Sequence, residues 1–410
     1  MLVNYLKMTI AVMKRRKFYT FISLFGISFT LMVLIVLAAF YDHLFGANYP
    51  EAHQDRSLCI QMVQQKNSIK GWTNTGPMSF SFAQKYVKTL KIPERVAIAS
   101  TPNTINTYVG SKKLKLFFKY TDADFWALTN FEFLEGKPYT QREIDNNETG
   151  IVINEGTRDN CFGKNTLALG KTMEVDNVTY RIIGVVRGCP ITRMMVASDL
   201  YLPYNTSKED LKSPELMGSY MALILAKNPS DIPAIQAEYA SAISKIALPK
   251  TEDEFDTIKS EAERSVLDIL TKEILPGGQA TFHLILFLFA LMFMLLPALN
   301  LVNINISRIM ERASEIGIRK AFGASKKTLL AQFLIENILL TIIGGFLALL
   351  LSTGVIYIIN HCGIIEYADL HINWMVALVA FIVSLLFGLM SGVYPAWHMS
   401  KLQIAEALKG

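Results

Sequence analysis

From Phe18 to Tyr41 the chain carries no charged side chain, and the same holds from Phe282 to Ile306 and from Trp374 to Trp397. Each run exceeds the ~20 residues an α-helix needs to cross a hydrocarbon core. A fourth run, Leu329 to Ile359, carries the single charge of Glu336. A membrane protein with four transmembrane α-helices is therefore expected. Composition agrees, with 51% hydrophobic and 18% charged residues against roughly 25% charged in soluble domains, and a mean hydropathy of +0.30. The first run is about twice the ~7 to 15 residues of a signal-peptide core, and no Ala-x-Ala precedes Asp42, so it reads as an uncleaved anchor.

Orientation follows from the flanks, because Lys and Arg are retained on the cytoplasmic side. Residues 1–17 hold Lys7, Lys14, Arg15, Arg16 and Lys17 with no acid. Residues 307–328 hold six basic side chains against Glu311 and Glu315, and the tail holds Lys401 and Lys409 against Glu406. The connection 360–373 has only Glu366 and Asp369. The expected order is a basic cytoplasmic helix (1–17), span one (18–41), a large external domain (42–281) and span two (282–306). A cytoplasmic segment (307–328), span three (329–359), a short external loop (360–373), span four (374–397) and a cytoplasmic tail (398–410) follow. Both ends lie inside. The net charge of +5 is too small to imply nucleic acid, and the basic side chains cluster beside the apolar runs, where they face membrane lipids.

The external segment is long enough for its own packed domain and reads as mixed α/β. Strand-like runs are Leu58–Val63, Leu114–Tyr120, Gly150–Ile153, Val178–Val186 and Tyr220–Ala226, punctuated by Gly and Pro. Helices are expected over Ser81–Leu90, Ile232–Ile246 and Glu252–Ile274, the last with Phe255, Ile258, Ala262, Val266, Ile269 and Glu273 at three- and four-residue intervals on a mostly apolar face.

Catalytic chemistry would need a nucleophile with its base, a metal cluster or a phosphate cradle. The external domain has only His43 and His53, both near the membrane, and the chain has no His-Glu-x-x-His, Gly-x-Ser-x-Gly or Ser-x-x-Lys. Asp122 and Asp124 read as solvated loop charge. Cys59, Cys161, Cys189 and Cys362 show no metal spacing and leave disulfide pairing open. Gly170-Lys171-Thr172 approaches a nucleotide motif, but Asn165 stands where the first P-loop glycine is required. The sequence around it reads as a hairpin about Asp176-Asn177 rather than strand, loop and helix. No catalytic residue, metal or resident cofactor is expected.

The informative cytoplasmic stretch is Ser307 to Phe322, with Gly323 as a helix stop and Ser325 as the next N-cap. Glu311, Arg312, Glu315 and Arg319 form a charged stripe, Glu315 preceding Arg319 by four in the favourable order. Ile309, Ala313 and Ile316 form the other side. A basic loop on anionic headgroups accounts for the Lys and Arg but poorly for the paired acids. A capped, charge-patterned helix tied to two spans suits a docking partner.

The run from Glu311 to Ser325, then Gln332 to Glu336 and Gly344-Gly345, resembles the membrane core of the FtsX and MacB permease family. Gly388 to Ala396 and Ala405 to Leu408 resemble its closing motif, and Phe133 to Pro138, Val152 to Glu155, Phe162-Gly163, Leu169 to Thr172 and Tyr180 to Val186 its MacB-type periplasmic domain. The resemblance is weak over 42–110 and 190–280, where substrate specificity is expected to sit. It implies an inner-membrane ABC transporter permease of the mechanotransmission type. Two permease subunits, identical or different, pair above separate ATPase subunits that bind ATP and Mg. A periplasmic adaptor or carrier is a further implied partner. The family's coupling helix maps onto Glu311 to Phe322, so ATPase coupling falls to Glu311, Arg312, Glu315, Ile316, Arg319 and Lys320. The family also contains FtsX-like signal transmitters that regulate a periplasmic partner such as a cell-wall hydrolase, an alternative to export or extraction of a substrate.

Glu336 is costly in lipid and could pair with Lys326, Lys327 or Arg308 at the interface. Asn300, Asn303 and Asn305 suit hydrogen bonds between helices. Gly388 and Gly392, with Gly344 and Gly345 on span three, suit close helix packing within or between subunits. Pro297 removes a backbone donor and predicts a kink.

Overall fold

The computed structural model describes residues 2–109, 112–164, 166–248, 254–264, 266–311, 326–363 and 365–401. Two compact units emerge. One comprises 1–43, 280–364 and 369–410; the other comprises 44–279 together with 365–368.

In the first unit, α1 (Leu2–Arg15) ends on Lys14 and Arg15, cations that favour a helix C-terminus. Helix α2 (Lys17–Phe45) has 29 residues, about 44 Å at the helical rise, and its branched residues Ile27 and Leu31 pack with the small Ala348 and Ala380. Among the described residues, three helical stretches are long and apolar enough to cross a membrane: Lys17–Phe45, Gly278–Leu295 and Leu334–His361. The apolar stretch Trp374–Met390 is shorter.

The second unit is a mixed α/β domain. Its elements are β1 (Ser57–Ile60), β2 (Met62–Asn67), β3 (Trp72–Pro77), α3 (Phe80–Phe82), β4 (Arg95–Ser100), β5 (Asn103–Val109), β6 (Lys112–Thr121) and α4 (Ala123–Leu128). Then come β7 (Phe133–Gly136), α5 (Gln141–Asp145), β8 (Gly150–Asn154), α6 (Glu155–Phe162), β9 (Thr172–Val175), β10 (Val178–Val186), β11 (Leu200–Pro203) and β12 (Tyr220–Leu225). The unit closes with α7 (Ile232–Ser244), β13 (Thr257–Lys259) and α8 (Val266–Ile274). Among the described residues, ten strands form one sheet along the path β1-β12-β4-β6-β11-β8-β10-β7, with β5 beside β6 and β9 beside β10. Pairing is parallel for β6 with β11 and for β8 with β10.

Alternation along β12 explains why that strand is buried on both faces. Tyr220, Ala222 and Ile224 join Leu58, Ile60, Ile98, Phe82 and Tyr239 in one core. Met221, Leu223 and Leu225 join the other, where Phe125, Trp126, Phe131 and Tyr201 meet with ring centroids 5.2–6.0 Å apart. A run buried on both sides reads as continuously apolar.

Two expectations need correction. Leu58–Val63 is not one strand: it divides at Gln61, β1 pairing with β12 and β2 with β3 in a separate three-stranded sheet that β13 completes. The helix expected over Glu252–Ile274 begins only at Val266. Before it, Ile258, Ser260 and Ala262 face inward while Thr257, Lys259 and Glu261 are exposed, the two-residue period of an extended chain. Ser260 hides that period because it is polar at an inward position, where it donates to the Met62 carbonyl (2.8 Å) and accepts from the Tyr239 hydroxyl (2.7 Å). The helix of Ser81–Leu90 starts at Phe80 under a Ser79 cap and widens into a π turn over Ala83–Val87.

Helices α9 (Gly278–Glu311), α10 (Lys326–His361) and α11 (Trp374–Lys401) follow, α9 continuing through Pro297.

Candidate coupling site

The expected coupling residues Arg312, Glu315, Ile316, Arg319 and Lys320 lie outside the described residues. Glu311 is the last residue of α9, and α10 resumes at Lys326. Asn300 and Asn303 lie within α9, their side chains outside the described set. Glu336 lies in α10 and is 4% exposed, beside Asn337 at the same burial.

Close approach explains three of the four glycines. A Cβ on Gly344 would stand 2.7 Å from Cγ2 of Ile27, one on Gly345 2.6 Å from the Phe381 ring, and one on Gly388 2.7 Å from Oγ1 of Thr341. These contacts lie between α10 and α2 or α11 of the same chain, the small-residue packing of membrane helices. Gly392 lies in α11, its surroundings outside the described set. Tyr41 of α2 and His283 of α9 add a hydrogen bond of 2.8 Å.

In the second unit, the linker leaving α2 is strapped to the α/β domain by buried polar groups. Arg193, 3% exposed, donates to the Gly46 carbonyl (2.9 Å) and pairs with Glu51 (3.2 Å). Tyr49 donates its hydroxyl to the Arg187 carbonyl (2.9 Å) and lies under the Arg187 guanidinium, 5.2 Å from ring centroid to Cζ. Sequence reasoning missed this strap, since single Glu, Tyr and Arg residues in loops carry no motif.

Beside it, Lys119 of β6 has no exposed surface and donates to the Met194 and Ser100 carbonyls (3.0 and 3.3 Å). Burial drives its ammonium down to about 7, with Cys189 and Glu51 opposing. Burial likewise raises the Glu51 carboxyl against Arg193 and pushes the Cys189 thiol up to about 12. The unfolded chain keeps the lysine proton to about 10.4, so between pH 7 and that value the unfolded state binds more protons and stability rises with pH. Relative to Lys119→Met, wild-type stability should climb by about 1 kcal/mol per pH unit between pH 7 and 9. Denaturation of both full-length proteins in detergent at pH 7, 8 and 9 checks this, because the cysteine contributions are common to both. Parallel slopes would remove the assignment.

Other candidates resolve into structure. Asp122 caps α4, accepting from the Phe125 amide (3.0 Å), and pairs with Lys88 (2.6 Å). Asp124 pairs with Lys88 and Arg95 (2.7 and 2.8 Å). Gly170-Lys171-Thr172 leads into β9, whose hairpin with β10 turns through Asp176 and Asn177 at φ 52° and 65°, the signature of a tight hairpin turn. Lys171 stands over the Phe162 ring at 4.7 Å. Among the described residues no group of His, Cys, Asp or Glu could hold a metal, and the four cysteines are free. A cleft of about 710 Å³ between β2, β3 and the end of α7 is lined by Lys85, Tyr86, Met217, Lys245 and Phe255 among others.

Residues 20–242 match the MacB-like periplasmic core domain, and residues 287–404 match the FtsX-like permease C-terminal domain. The macrolide export ATP-binding/permease protein MacB of Acinetobacter baylyi is 27% identical over 335 residues, covering 78% of this chain and 48% of that protein. An uncharacterized ABC transporter permease of Bacillus subtilis, YvrN, is 28% identical over 295 residues, covering 70% of this chain and 68% of it. The chain thus spans about half the length of the MacB relatives it matches. The solved periplasmic region of MacB from Actinobacillus actinomycetemcomitans aligns with a TM-score of 0.36 at 16% identity, over 54% of this chain and 94% of that one.

Proposed function

Because the chain belongs to the FtsX-like permease family and carries its MacB-like periplasmic core domain, we propose that it couples ATP binding and hydrolysis by a separate cytoplasmic ATPase subunit to movement of its α/β domain. The work done is export, or extraction of a substrate from the membrane or periplasm. The permease sits in the bacterial inner membrane with four spans, both termini cytoplasmic, paired with a second permease subunit. The observation that carries this reading is the order of the two matched domains along one chain, with the most regularly charged segment between the two helices that follow the external domain. A relative named as an ABC transporter permease, of which this chain covers 68%, supports assigning ATP and Mg to a partner ATPase. The resident residues supply docking and movement, and no catalytic step is assigned to them.

Sealed vesicles of both orientations test partner and topology together. Phosphate release should require the added ATPase subunit and should respond to the permease only in inside-out vesicles, which expose residues 307–328. Hydrolysis by the purified chain alone, or ATPase binding to right-side-out vesicles, would overturn the proposal.

A further inference from the structure

The connection between α10 and α11 contributes residues 365–368 to the same compact unit as 44–279. Its Tyr367 fills a slot whose walls are two glycines. A Cβ on Gly156 would lie 2.0 Å from the Tyr367 hydroxyl, and one on Gly188 would lie 2.2 Å from the ring carbon Cε1. Neither glycine has a positive φ, so backbone freedom does not explain them; the space the tyrosine occupies does. The slot is built on ordered parts: Asn154 caps α6 by accepting from the Thr157 amide (2.7 Å), and Glu155 accepts from the Gly188 amide (3.0 Å).

Tyr367 itself is held at φ 57°. Asn and Asp visit this region readily, and among the described residues the other non-glycine residues found there are Asn147, Asp176 and Asn177. A bulky side chain holds it only where its surroundings demand it. The slot also has a second tenant nearby. Gly188 follows Arg187, whose carbonyl accepts from Tyr49 in the linker leaving α2. Segment 187–190, which continues from β10, is thus gripped by an aromatic residue from each of two connections to membrane helices.

We infer that Tyr367 is a positioning residue that transmits movement of the α10–α11 pair to the α/β domain through the Gly156–Gly188 slot. This rests on the permease reading above. The chain already joins the domain to α2 and to α9 at its two ends; a contact from the α10–α11 connection on segment 187–190 adds a further point of attachment, which makes the displacement directed.

The test compares Tyr367→Ala, Gly188→Ala and the double variant Gly188→Ala/Tyr367→Ala in the full chain assembled with its ATPase subunit. Gly188→Ala should lower the melting temperature by forcing the ring out, and the double variant should recover it by removing the ring. Hydrogen exchange at 154–157 and 187–190 should quicken by about tenfold or more in Tyr367→Ala as local protection is lost. Assembly with the ATPase should persist in Tyr367→Ala and the double variant. In both, the ATP-dependent distance change between spin labels on the α/β domain should fall about tenfold, within the range of site-to-site coupling. Recovery of melting without recovery of the distance change separates transmission from packing. Unchanged exchange in Tyr367→Ala would overturn the docking, and a wild-type distance change in that variant would overturn the transmission. A wild-type protein with no ATP-dependent change, but with the exchange effect intact, would sink the permease reading and with it the transmission role while leaving the docked tyrosine established.

Discussion

Glu315→Arg combined with Arg319→Glu is expected to leave expression and membrane insertion intact and to lower co-purification of the ATPase subunit about tenfold or more, since like-charge contact across an interface costs several kcal/mol. The double reversal keeps an attraction between positions four apart and so retains a helix-supporting pair, although its reversed order is slightly weaker. It also leaves the net charge of 307–328 unchanged. A segment lying on anionic lipid responds mainly to that net charge, whereas a groove shaped for alternating signs meets the wrong sign at two positions. Either single reversal changes net charge and confounds the two cases, so the double variant decides. If other contacts hold the ATPase in place, the loss should appear instead in the ATP-dependent movement of the α/β domain. Wild-type binding together with wild-type movement would reject these residues as the coupling site.

How much of this was legible in the sequence depends on whether the decisive constraint was local. The β9–β10 hairpin was legible because Asp176-Asn177 is a turn signal between alternating strands, and Val178–Val186 appears with the expected limits. The apolar helices were legible from absence of charge alone. The stretch before Val266 was misjudged because Phe255, Ile258 and Ala262 satisfy helical spacing while Ser260, the residue that betrays the two-residue period, is polar yet buried through bonds to Met62 and Tyr239. Those partners are remote in sequence. The same holds for the strap and the slot. Nothing near Tyr49, Arg193 or Tyr367 announces that they are anchors, because each gains its meaning from a partner more than a hundred residues away. Gly156 and Gly188 look like ordinary loop and cap glycines until the tyrosine is seen between them. The charged stripe Glu311, Arg312, Glu315 and Arg319 is the reverse case: its period is visible in the sequence, and its proposed coupling role rests on that period and the family resemblance.

Gly136→Ala should be the most damaging single methyl in the α/β domain. Gly136 closes β7 at φ 66°, where an L-residue costs about 1–2 kcal/mol. Its Cβ would stand 2.0 Å from the Ile183 carbonyl oxygen and 2.6 Å from Cδ1 of Leu169. The leucine can move, but the carbonyl is backbone in β10 and accepts from the Lys137 amide at 3.1 Å. Opposite, Gly184 is paired with Gly136 in register, and a Cβ there would meet the Lys137 carbonyl at 2.7 Å. Two strands therefore cross with glycine on both sides, and relief requires β7 to pull away and break that hydrogen bond. Strain together with an unsatisfied buried group gives about 3–4 kcal/mol, or about 6–16 °C in the melting temperature of a unit this size. Gly76→Ala is the control, since its Cβ would touch only the Met217 sulfur at 3.6 Å, and it should melt within about 2 °C of wild type. The displacement matters beyond stability, because β10 runs from this crossing into the segment 187–190 that Tyr49 and Tyr367 grip. A loosened β10 should blunt ATP-dependent movement of the domain even at temperatures where the variant remains folded. Equal melting of Gly136→Ala and Gly76→Ala would show that the crossing yields, and that the close approach does not govern the fold.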